Sequence, residues 1–329
     1  MVDQRASPRN PPGGQWRISQ ILDELGVAPC VCTRVPNGAE FVVPHIRGAR
    51  MAVWFVTGAS SGIGRAVVER LLARGDRVAA TSRCAEKLTE LVRKHPATLW
   101  TAALDVTDAV AVRDVVNRAF AELGRIDVLF SNAGRKAFGA AEEFSDEMIA
   151  DQIALHLTGP IHLVRAALPH LRRQGGGRII QTTGLEAEVG LPGGSVHHAS
   201  KWGAEGFFES LAAEVAPFGV EVMMVVPGNV RTDYAAATSI AFPAPEYAET
   251  PIGRIRRYLD AHGGRLVASV QSDPAQVAAA ILDAASAVPA PRRVVLGSDA
   301  YLAVHAALAA RVAELEAGWT VSVSTDLPV

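Results

Sequence analysis

Four residues of this chain have the types and spacing for proton transfer: His156, His197, His198 and Lys201. His197 stands four positions before Lys201, so on a helix the two side chains share a face. An imidazole titrates near neutrality and needs no large shift to serve as acid or base. An ammonium beside it disfavours the protonated ring, so His197 is expected to be neutral and a better base than acid. His198 reads as a hydrogen-bonded structural residue, and His156 as either a general base or a group that fills space and satisfies backbone. No carboxylate or cysteine at ligand spacing accompanies the histidines, so no metal is expected. Cys30, Cys32 and Cys84 are odd in number and the first two are spaced C-x-C, which predicts free thiols.

A second chemistry, phosphate binding, is written in Thr57-Gly58-Ala59-Ser60-Ser61-Gly62-Ile63-Gly64. Apolar Val53, Phe55 and Val56 precede it as a buried strand, and Ile63, Val67 and Leu71 follow at helical spacing until Gly75. Between strand and helix the chain must turn tightly, admit a pyrophosphate to bare backbone and aim free N–H groups at its charge. The elements that position these residues alternate from Met51 onward. Strand-like runs at 53–57, 77–81, 98–104, 126–131, 177–183, 220–226 and 292–296 are separated by helix-length amphipathic stretches. That alternation predicts an α/β fold, a doubly wound parallel sheet of about seven strands with helices on both faces. Ligands of such sheets sit beyond the carboxyl ends of the strands, where the motif residues fall.

The spelling TGASSGIG resembles that of the short-chain dehydrogenase/reductase family. Asp105-Val106 closes a strand where that family holds adenine, and Ser131-Asn132-Ala133-Gly134 stands where it reads NNAG. Ser200-Lys201 belongs to an A-S-K motif, and Pro227-Gly228 with Thr232 matches P-G-x-x-x-T. The likeness covers residues 51–318 and includes Leu296-Gly297-Ser298-Asp299. It implies a single Rossmann-type domain over 51–329 and a nicotinamide cofactor. Its cofactor site would comprise Gly58, Ser60, Ser61, Gly62, Ile63, Gly64, Asp105, Val106, Asn132, Ala133, Gly134, Lys201, Pro227, Gly228, Val230 and Thr232. Where an NAD-preferring member places an acidic residue, this chain reads Thr81-Ser82-Arg83. Arginine pairs with a ribose 2′-phosphate, so NADP(H) is expected, with Arg65 adding positive charge.

Members of the family move a proton with a tyrosine, a lysine, a serine and an asparagine, and here only the lysine is kept. The register from Lys201 puts His197 in the tyrosine's place and Gly184, thirteen residues earlier, in the serine's. His156, within LHLTGP, takes the asparagine's. The resemblance thus makes His197, Lys201 and His156 the catalytic candidates. Strand alternation puts Thr182 on the face of residue 184, but a bend at the strand's end would let Thr183 replace the lost serine.

At 329 residues, 49% of them apolar, the chain is long enough for one large core plus an extension. A net charge of −2 with no block of like charges gives no reason to expect nucleic acid. Nowhere do 18 apolar residues run uninterrupted, and Met1 to Gly14 has prolines and charges in place of a signal-peptide core. No membrane contact is therefore expected, and a cytoplasmic location is. Residues 1–50 fall outside the resemblance and read as an N-terminal extension, disordered at Pro8 to Gly14, with a short helix at Ile18–Leu25 and a short strand at Glu40–Val43. Met51 stands where such reductases often begin, so this extension is either an accessory arm or lies upstream of the working start.

Between Tyr234 and Arg265, with Phe242, Tyr247 and Tyr258, the family places a mobile substrate lid. Lys136, Phe138, Glu186 and Glu188 would line the opposite rim. The helices around Ile149–Leu171 and Lys201–Phe218 resemble those by which members pair, so a homodimer or homotetramer is expected. Three functions fit. One is an NADP(H)-dependent oxidoreductase acting on an apolar ketone or alcohol through His197 and Lys201. Another is a redox-neutral isomerase, epimerase, dehydratase or cyclase with His197 or His156 as general base. The third is a nucleotide-binding protein without chemistry.

Overall fold

The computed structural model describes residues 51–234, 238–262 and 271–327. The expectations for residues 1–50, including the extension, its helix and strand, Cys30 and Cys32, lie outside the described residues. Cys84 is a free, exposed thiol.

The chain begins with β1 (Val53–Thr57), α1 (Gly62–Arg74), β2 (Arg77–Ser82), α2 (Thr89–Lys94), β3 (Leu99–Ala103), α3 (Ala109–Leu123) and β4 (Val128–Ser131). It continues through a two-residue strand β5 (Ala137–Phe138), α4 (Asp146–Ile153), α5 (Gly159–Arg173), β6 (Gly177–Thr182), α6 (Ser195–Val215) and β7 (Val220–Pro227). The last elements are the short β8 (Ser239–Ile240), α7 (Pro251–Ala261), α8 (Pro274–Ser286), β9 (Arg293–Leu296), α9 (Ser298–Ala317) and α10 (Trp319–Val323). Seven parallel strands form one sheet in the order β3-β2-β1-β4-β6-β7-β9, as the doubly wound pattern requires. The small β5–β8 pair has no counterpart in the sequence pattern, because two residues are too few to show a period.

Alternation along the strands feeds two cores. Phe55, Leu129, Ile179 and Met224 face α3, α5 and α6, whereas Trp54, Val56, Phe130, Ile180 and Val225 face α1 and α8. Each such side chain is worth about 1.5–3 kcal/mol on burial, which is why these strands read as unbroken apolar runs. Helix starts are capped where the sequence supplies an acceptor. Asp108 accepts from Val110 N and Ala111 N at the head of α3, and Asp273 does the same for α8.

The strand order reverses between β1 and β4, which opens the crevice in which such sheets bind ligands. β6 ends at Thr182 because Gly184 follows at φ +87°, a turn that an L side chain resists.

Candidate functional site

At the head of α1 the cap position, Ser61, makes no side-chain cap bond and the first turn holds no acidic residue. The first N–H groups of the helix are therefore free to meet an anion. The glycines are required by close approach. A Cβ on Gly64 would lie 2.3 Å from the Gly58 carbonyl oxygen, and one on Gly58 would lie 2.8 Å from Cα of Ala133. Gly62 faces the Thr232 methyl, which brings the loop after β7 over the turn. Thr57 Oγ1 accepts from Asn132 N at 2.9 Å and from Ala133 N at 3.1 Å, fixing the segment after β4 beside the turn.

Asp105 accepts from Thr107, and Val106 presents its carbonyl to Gly159, where a Cβ would come within 2.9 Å. Pro227 ends β7, Gly228 N donates to Leu296 O, and Val230 bridges to Ser272. Burial opposes the charge on Asp105, but its bonds from Thr107 and then the charge of Arg83, exposed at the end of β2, outweigh it and lower its pKa. Arg65 is drawn instead to Glu69 at 2.6 Å. This cradle of bare backbone and free N–H groups fits a nicotinamide dinucleotide.

The catalytic candidates converge beside it. α4 and α5 run on from each other through a π turn, Ala154–Thr158, closed by Gly159 N donating to Ala154 O. The widened turn carries His156 inward, 1% exposed, with its ring against Gly134. α6 supplies His197, 1% exposed, and Lys201. The rings of His156 and His197 meet edge to face at 4.8 Å.

One carbonyl orders both imidazoles. Arg135 O accepts from His156 Nε2 at 2.7 Å and from Gln152 Nε2 at 3.4 Å. The Gln152 amide therefore turns its oxygen toward His197, whose Nδ1 donates to Oε1 at 3.1 Å. His197 is left with a lone pair on Nε2, and His156 with one on Nδ1. Burial first, then the charges of Lys201 and Lys136, lower the His197 pKa to about 2. His156 is shifted the same way by burial, Lys201 and His197. Both rings are neutral bases at physiological pH. Lys201 Nζ donates to Thr182 O at 3.0 Å, and burial lowers its pKa to about 8.

The remaining expected residues separate. Thr182 Oγ1 donates to Asn132 Oδ1, whereas the Thr183 hydroxyl is fully buried and donates to Val225 O inside the sheet, so it does not fill the serine's place. Lys136 and Glu186 pair at 3.3 Å, as neighbours on one rim. Glu188 instead faces Arg293 at 3.4 Å, away from that pair. Phe138 lies beneath Gly193, and Phe242 is 88% exposed. Two site residues have no site role in the sequence pattern. Gln152 stands four positions before His156, a spacing that places both on one helix face and was the available signal. Tyr234 reaches back to Gly134, its pKa raised by burial and by the Glu186 charge, and no local pattern marks it as more than a lid residue.

Comparison with known proteins agrees with this fold. The short chain dehydrogenase family model matches residues 52–241. An oxidoreductase of Botryotinia fuckeliana, BOA17, is 35% identical over 249 residues, which is 75% of this chain and 89% of that protein. A short-chain dehydrogenase structure from Streptomyces avermitilis superposes with a TM-score of 0.78 at 38% identity, covering 84% of this chain and all of that one. A short chain dehydrogenase from Burkholderia cenocepacia, solved in complex with NADP, gives a TM-score of 0.64 at 26% identity over 82% of this chain and 97% of that one. From the glycine turn to the helix of Lys201, this chain belongs to the short-chain dehydrogenase family of oxidoreductases.

Proposed function

We propose that this protein is an NADP(H)-dependent oxidoreductase that oxidises an apolar secondary alcohol, and in reverse reduces the matching ketone, with His197 in the role of proton acceptor. The observation that carries this reading is the bond from His197 Nδ1 to Gln152, which leaves Nε2 of a neutral, buried ring as a base. A bound nicotinamide would supply the acceptor for the hydride of the carbinol carbon. His197 Nε2 holds the hydroxyl proton, and the Lys201 charge beside it favours passing that proton onward.

Arg83 supports NADP(H) over NAD(H), since a guanidinium pairs with a 2′-phosphate and a carboxylate would repel it. The NADP held by the Burkholderia cenocepacia relative supports the same choice. Phe138 and the aromatic residues of the segment from Tyr234 onward support an apolar substrate. A homodimer or homotetramer built on α5 and α6 belongs to the same proposal, and light scattering tests it.

A second reading has its own observation. His156 is also a neutral base, with its Nδ1 edge toward Gly134, and two bases at one site suit a redox-neutral isomerase or epimerase. One assay separates the two readings. Purified protein is incubated with NADP+ and apolar secondary alcohols while the nicotinamide absorbance is followed. Cofactor reduction that is lost in His197→Ala and kept in His198→Asn supports the oxidoreductase. Substrate conversion without cofactor change overturns it in favour of the second reading.

A further inference from the structure

A Cβ built on Gly184 would lie 2.8 Å from Oε2 of Glu186, so the space a serine side chain would enter is held by a carboxylate. That carboxylate is anchored, because its Oε1 accepts from Lys136 Nζ at 3.3 Å. Neither side chain of the pair is more than 19% exposed. Burial opposes the charge on Glu186, but Lys136, its own backbone N–H and Lys201 outweigh it and keep the group ionised. Its field reaches His156, His198, Lys201 and Tyr234, making it a negative centre common to these four groups.

Resting on the oxidoreductase reading above, we infer that Glu186 is a specificity-determining residue, an acceptor that selects a substrate bearing a hydroxyl at the reacting carbon over one bearing a carbonyl. An ionised carboxylate has no proton to give, and neutral His197 presents a lone pair at Nε2. A secondary alcohol donates its single O–H to one of these acceptors. A ketone sets a lone-pair oxygen against both, and leaves buried acceptors unsatisfied. The nearby ammonium groups each direct one N–H elsewhere, Lys136 to Glu186 Oε1 and Lys201 to Thr182 O at 3.0 Å. The Tyr234 ring flanks Gly134 and not Gly184. In the reaction the O–H and C–H bonds of the alcohol break and its C=O double bond forms. The proton goes to His197 Nε2 and the hydride to the oxidised dinucleotide. Once Nε2 has passed that proton on, the carbonyl faces two acceptors, which favours its release.

The test compares matched pairs, cyclopentanol, cyclohexanol and cyclooctanol with their ketones, by titration calorimetry in non-reacting complexes. Each alcohol is added to the NADPH-loaded protein and each ketone to the NADP+-loaded protein. Within a pair the alcohol is expected to bind about tenfold tighter or more. Glu186→Gln, whose amide donates as well as accepts, is expected to bring the two within about threefold while NADPH affinity, read by fluorescence, is unchanged. Equal affinities in the wild type, or a ratio that survives in Glu186→Gln, overturn the inference and leave the oxidoreductase reading standing if the alcohols are turned over. Neither binding nor turnover of any pair overturns both.

Discussion

The Nδ1 atom of His197 lies 3.1 Å from Oε1 of Gln152, and with the amide oriented by Arg135 O this contact assigns the ring proton to Nδ1. Gln152 is a positioning residue, since it acts through the imidazole. Gln152→Leu is expected to lower alcohol oxidation about 10–100-fold, the usual scale for losing a partner that orients a catalytic group. NADPH affinity should hold, and nitrogen NMR should show His197 as a mixture of tautomers. A single Nδ1–H tautomer in the variant would remove Gln152 from the mechanism.

Restoring the family's serine should fail. Gly184 has φ +87° and its Cβ position abuts Glu186, so Gly184→Ser meets both backbone strain and a carboxylate. A loss of about 1–3 kcal/mol is expected in urea unfolding, without gain in activity. Gly184→Ser with Glu186→Ala should relieve the contact but not the strain, recovering only part of the loss.

Acid should unfold the protein through its buried imidazoles. His197 titrates at about 2 when folded against 6.5 ordinarily, so the unfolded chain binds more protons across that window and stability falls as pH drops below 6.5. His156 is shifted in the same direction. Each contributes a slope of up to about 1.4 kcal/mol per pH unit. The thermal midpoint is expected to fall from pH 7 to pH 5, and less steeply in His156→Asn. Lys201, at about 8 against 10.5, makes stability rise with pH between those values.

Cofactor choice is open to a charge reversal. Arg83→Glu places a carboxylate where the guanidinium sits exposed at the end of β2. NADPH affinity is expected to fall about 10–100-fold while NADH affinity changes little, measured by nicotinamide fluorescence. Equal losses for both would show that Arg83 does not read the 2′-phosphate.

The sheet was legible because its inner strands are buried on both faces and keep their apolar character in any context. Their ends fell within two residues of the predicted ones, as with 126–131 against Val128–Ser131. That His197 and Lys201 share one helix was legible from their spacing of four. What the sequence hid is relational. The role of Gln152 depends on a carbonyl seventeen residues away, and the importance of Glu186 depends on a side chain that Gly184 lacks. The π turn is equally silent, because one residue's widening leaves the apolar period of a helix nearly intact.

The Arg135 carbonyl belongs to the main chain, and no side-chain substitution can delete it. The polarity of both imidazoles is therefore inherited from the path of the backbone after β4, the same segment whose N–H groups are pinned to Thr57 beside the glycine turn. Nucleotide cradle and proton acceptors thus share one mechanical strut. A displacement of that strut would loosen the grip on phosphate and unfasten the ring protons together, so that selection on cofactor binding also guards the chemistry.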